Sequence, residues 1–232
     1  MKNAWKFLAG CGCLAALAGA VMIGLGLFWF GTDSVTNFGG GGESDTTTGP
    51  VTPPADLAQY VNSREGRTGN LDTNYVDFSF NHPKAWTVKT TDPDNINFVT
   101  VERSVDGRTY ENLNVGYFAP APTEEQNQQL YQQVLGQIEA QFSQQFRDFR
   151  KVSDGPWRVG SYDAHNALYD GWVETNGQRV NVFIRAAFIP HPEGGKGVSM
   201  MMIGTSLNPE LTEAADLGTK GELPILLQSF RF

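Results

Sequence analysis

The sequence predicts an α+β domain, a largely antiparallel β-sheet with one long helix, preceded by one transmembrane helix. Three observations lead there. Residues 7–30 read FLAGCGCLAALAGAVMIGLGLFWF without a charge, and a bilayer core needs roughly 20 apolar residues in a helix. Residues 165–175 and 178–189 alternate in polarity and are joined by Asn176-Gly177, a dipeptide suited to the type I′ turn of a hairpin. Tyr131, Val134, Leu135, Ile138, Phe142, Phe146 and Phe149 recur at helical spacing, one apolar stripe on a helix of about seven turns.

Lys2 and Lys6 precede the apolar run, Asp33 follows it, and the next basic residue is Arg64. Positive flanks stay in the cytoplasm, so residues 1–6 are expected inside and the domain on the extracytoplasmic, periplasmic side. Trp5 opens the run and Phe28-Trp29-Phe30 close it, as suits rings at the two interfaces. Two rivals stand against a retained signal-anchor. Leu8-Ala9-Gly10-Cys11 fits a lipoprotein cleavage box, but leaves only Phe7 to Gly10 as apolar core, short of the roughly 7–15 residues that a signal peptide needs. Cleavage near Ala18-Gly19-Ala20 would leave Val21 to Phe30 as a sticky new N-terminus. Within the span, Gly12, Ala16, Ala20 and Gly24 recur every four residues, a ridge along which another helix can approach closely.

Gly31 to Asp56 holds Gly39 to Gly42, Thr46 to Thr48, Pro50, Pro53 and Pro54. With few apolar side chains to offset ordering entropy, it reads as a linker spanning roughly 25–30 Å on average. The domain then runs from residue 57 to 232. It contains no cysteine, since Cys11 and Cys13 both lie in the anchor; zinc ribbons and thioredoxin-like sites are thereby excluded. The chain is acidic, net −8, with no basic patch to suit nucleic acid or anionic headgroups.

Along the domain, Leu57 to Val61 begins the ordered part. Val76, Phe78 and Phe80 alternate in a strand that His82-Pro83 breaks. Trp86-Thr87-Val88 starts the next, and Ile96 to Arg103 is a further β-branched run. Asp106-Gly107 supplies a turn before the alternating Leu113, Val115 and Tyr117. Thr123-Glu124-Glu125-Gln126 is a capping box opening the long helix. After Gly155-Pro156-Trp157 comes the hairpin, then a strand over Val198 to Thr205. In it Met200 and Met202 share one face and Met201 the other. Pro209 to Leu217 and Glu222 to Leu227 are short helix candidates.

Phe78-Ser79-Phe80-Asn81-His82-Pro83-Lys84-Ala85-Trp86, the long central helix and the ending Leu226-Leu227-Gln228-Ser229-Phe230-Arg231-Phe232 resemble the PsbP-like superfamily over residues 75–232. The resemblance implies an antiparallel sheet flanked by helices on both faces, an α/β/α sandwich. It makes Phe80, Pro83, Trp86, Ser229 and Phe230 fold residues: Pro83 ends a strand, Trp86 is a buried anchor under the long helix, Ser229 leaves the last helix, and Phe230 and Phe232 lie in a final strand. Members mostly act as accessory or adaptor domains, with no catalytic set to transfer.

Reaction chemistry was sought directly. His82, His165 and His191 are far apart. His191 with Glu193 lacks further metal ligands. Asp92 to Asn97 begins like a calcium loop but fails at Ile96 and Asn97. No nucleophile elbow, phosphate loop or zinc-protease motif is present. The expectation is a non-enzymatic, membrane-tethered accessory subunit of a larger membrane complex, without cofactor, metal or small-molecule ligand. The alternative is a small-ligand-binding envelope protein, or an unrecognised enzyme, using a pocket beside the sheet.

Overall fold

A computed structural model of the chain describes residues 56–90, 96–175 and 177–232. The anchor with its Gly12, Ala16, Ala20 and Gly24 ridge, the linker up to Ala55, and most of the calcium-like loop lie outside these residues. Among the described residues no helix is long and apolar enough to cross a membrane.

The elements run β1 (Leu57–Val61), α1 (Gly69–Thr73), β2 (Ser79–Pro83), β3 (Thr87–Thr90), β4 (Asn97–Val105), β5 (Arg108–Phe118), α2 (Glu124–Phe142), β6 (Arg147–Val159), β7 (Tyr162–Thr175), β8 (Gln178–Ile189), β9 (Gly197–Thr205), a 3₁₀ turn (Ala214–Asp216) and α3 (Leu223–Ser229). Seven strands form one sheet in the order β3-β4-β5-β9-β8-β7-β6, and β1 and β2 pair separately. Every strand pair is antiparallel. The expected α+β class with a large antiparallel sheet therefore stands.

Two cores sandwich the sheet. On one face Tyr131, Leu135, Ile138 and Phe142 of α2 pack on Tyr169, Val182, Ile184, Phe188 and Met201. On the other face β2, α3 and the 3₁₀ turn cover Val99, Leu113, Phe183, Met200 and Met202. The methionines thus divide between the faces as their alternation requires. Helical cover is unequal. α2 has 19 residues, while the second face carries short helical pieces and the β1–β2 pair.

The hairpin is in register, with Thr175 opposite Gln178, and Gly177 adopts φ +74°. Asp106 and Gly107 both take positive φ in the β4–β5 turn, which fits a two-residue turn with the twist of its strands. Thr123 caps α2 by accepting a bond from the Gln126 N–H at 3.3 Å.

Four expectations need correction. The helix stops at Phe142, about five turns, not seven. Phe146 and Phe149 keep the apolar spacing but belong to the turn and to β6, and pack with the same core. Gly171 leaves room for them: a Cβ there would sit 3.1 Å from Phe146 and 3.2 Å from Phe149. Trp86 is buried, but in the core opposite α2, where its indole N–H donates to Glu222 beside α3. Phe230 and Phe232 do not lie in a strand; Arg231 makes one isolated bridge to Ser79, and the two rings meet edge to face at 5.1 Å. Pro209 to Leu217 is not a helix but a loop holding the 3₁₀ turn.

Candidate functional site

The remaining fold-motif residues come together at one corner. Phe80 stacks beside Phe78, and Phe78 beside Phe230. Pro83 is the last residue of β2. The Ser229 hydroxyl accepts the Asn81 N–H at 2.8 Å and donates back into its own helix, to Ile225 O at 2.6 Å. These contacts fasten α3 to β2.

The histidines stay apart, as their spacing implies. His82 is buried with Nδ1 2.9 Å from the Pro83 carbonyl. His191 Nδ1 accepts the Glu193 N–H, and its ring meets Phe232. His165 stacks on Tyr131 of α2 at 4.4 Å; its Nε2 is buried without a partner, and burial draws its pKa down. No described hydrogen bond joins a histidine to a hydroxyl, the link by which a base activates a nucleophile. Among the described residues no three His, Cys, Asp or Glu side chains group as metal ligands.

Three buried charged groups act on the fold. Glu111 of β5 is fully buried and accepts from the N–H groups of Glu222 and Leu223, at the start of α3, and from Asn208 Nδ2 at 3.1 Å. Arg103 lies 3.4 Å away. A Cβ on Gly221 would stand 2.5 Å from the carboxylate, so glycine admits it there. Burial raises the Glu111 pKa, opposed by those N–H donors and Arg103. Asp216 pairs with Lys220 at 2.7 Å and accepts from Thr212 and Glu213, which hold its carboxyl well below the usual range. Arg185 sits on the inward side of β8 between Phe183 and Ala187. It donates to Leu217 O and Asn166 Oδ1, lies 4.4 Å from the Trp157 ring, and is pulled down by burial to a pKa of about 10.

Described residues line at least three cavities. One of about 40 Å³ lies under α2, between Val134, Ile138, Asn114 and Met201. A second, about 200 Å³, opens at the sheet end beside Thr109, Val180 and Thr205. The third, about 320 Å³, lies between the end of β1, the loop into α1 and the end of β3, with Arg67 in its wall. None contains a histidine. Arg67, Glu111 and Arg185 do not stand out in the sequence. Arg185 alone had a local signal, a charge at an inward position of an apolar strand; the other two depend on contacts between distant segments.

No protein-family model matches the chain, and no curated protein matches it either. Among solved structures it is similar to cyanobacterial PsbP (CyanoP) from Synechocystis sp. PCC 6803, with 13% identity, TM-score 0.46, and 82% of this chain and 97% of that one covered. It is also similar to LpqN of Mycobacterium tuberculosis, a protein involved in cell envelope biogenesis, with 10% identity, TM-score 0.42, and 75% and 90% covered. At such identities the likeness concerns the fold and not activity.

Proposed function

We propose that this chain is a non-enzymatic accessory or binding subunit of a larger membrane assembly, tethered through residues 7–30 with its domain outside the cytoplasm. The supporting observation is the use made of the buried charges. Glu111 caps a helix, Asp216 closes a loop and Arg185 ties that loop to the sheet. These three groups are thus engaged in holding a scaffold together, whereas a working acid or base must reach substrate. The Lys2/Lys6 flank and the linker support the tether and its orientation.

The test is mild-detergent purification from the native host, with identification of what co-purifies, beside protease treatment of intact cells. The proposal expects a stoichiometric membrane-protein partner and release of the domain by cleavage within residues 31–56. Replacing Ala16 and Ala20 by Leu keeps the span apolar; loss of the partner would place the contact on the Gly12–Gly24 ridge. An N-terminus at acylated Cys11 would refute the retained anchor. Purification of the chain alone would refute the assembly.

A further inference from the structure

The cavity at the end of β1 has in its wall a cation, Arg67, that pairs with no carboxylate among the described residues. Arg67 donates through Nε to Ser63 O at 2.8 Å, and through Nη2 to Tyr60 Oη at 3.2 Å and to Asn62 Oδ1. Its guanidinium lies 5.3 Å from the Phe98 ring. All four partners are neutral, and Nη1 donates to nothing among the described residues. Among the described residues no carboxylate pairs with it.

The group is also held still. Asn62 is 1% exposed, donates to Val76 O at 2.6 Å and is bonded through its own N–H to Phe78 O. The acceptors that aim the guanidinium are therefore set by the core, and the ordering cost is met before any ligand arrives. Burial raises the Tyr60 pKa, so this phenol stays a neutral partner. Thr68, the residue before α1, makes no capping bond with its side chain, and it lines the same cavity as Thr90. Val61 and Leu71 supply apolar wall. Arg185 also lacks an acid, but none of the described cavities reaches it.

We propose that this cavity binds a small organic monocarboxylate. The free Nη1 can donate a charge-assisted hydrogen bond to a carboxylate oxygen, while Nε and Nη2 stay on their protein acceptors. The threonine hydroxyls add donors, and the apolar wall takes the organic body. Glu65 also lines the cavity; its charge opposes any anion there, and a dianion about twice as strongly as a monoanion. The inference does not depend on the tether or on an assembly partner.

The experiment titrates the full ¹⁵N-labelled chain, in mild-detergent micelles, with acetate, butyrate and benzoate at ionic strength balanced by chloride. At least one of them should shift the amides of residues 63–71 and the Arg67 Nε signal saturably, while neutral benzamide and butyramide should not. Arg67→Gln should weaken that binding by about tenfold or more with resonances elsewhere unchanged, and Arg67→Lys should fall between. The proposal is overturned if none of the three acids gives a saturable shift, if the amides bind as well, or if Arg67→Gln binds unchanged. Should Arg67→Gln not fold, acid against amide on the unaltered chain still decides.

Discussion

Glu111 shows at the scale of one residue how this protein uses charge. A carboxylate with no exposure faces backbone donors that a helix start leaves unpaired, so removing it strands several buried polar groups at once. Glu111→Ala should cost about 3 kcal/mol, read from the urea midpoint at unchanged m; a loss under roughly 0.5 kcal/mol would mean the clasp is ornamental. Asp216 gives a prediction in pH. Lys220 first, then the Thr212 donors, depress its folded pKa. It therefore contributes stability above its unfolded pKa, and that contribution drains away as pH falls below about 4. The thermal midpoints of the native chain and Asp216→Asn should differ at pH 6 and converge toward pH 2. A gap constant across that range would show the shift is not native-specific.

Among the elements, β6 carries the largest lesson. It is an edge strand, charged and mostly exposed, so it lacks the alternation by which strands are read. Pro156 sits within it, opposite His165, a position open to proline because an edge has an unpaired side. Arg150, Lys151, Asp154 and two register shifts further blunt that edge against foreign strands. Replacing Lys151 and Pro156 together by Val should give concentration-dependent association by light scattering, with the fold kept; a monomer at all concentrations would deny the protective role. The hairpin was legible because Asn-Gly and alternation are local signals. The end of α2 was not, since Phe146 and Phe149 continue the helical spacing after the backbone has turned, with Asp148 at φ +52°. Trp86 was legible as buried but not as to which face, for the sequence says that a side chain points inward without saying which layer it meets. The Arg67 cavity was invisible for a related reason: Tyr60, Arg67, Thr90 and Phe98 converge only through tertiary packing.

Taken whole, the domain has two apolar cores, one on each face of a single sheet. Residues 57–232 expressed alone should fold as a monomer without metal, and EDTA should leave the thermal midpoint unchanged; a large drop would expose a missed metal site. The second core also has a temporal side. Leu223, Leu226, Leu227 and Phe230 are buried in it, and Ser229 closes onto Asn81, 148 residues earlier. At ribosomal speed that separation corresponds to roughly 7–30 s. For that interval Phe78, Phe80 and the sheet behind them wait without their lid. A chain so arranged leaves its early strands without their cover while it is being made. That core is complete only when α3 arrives.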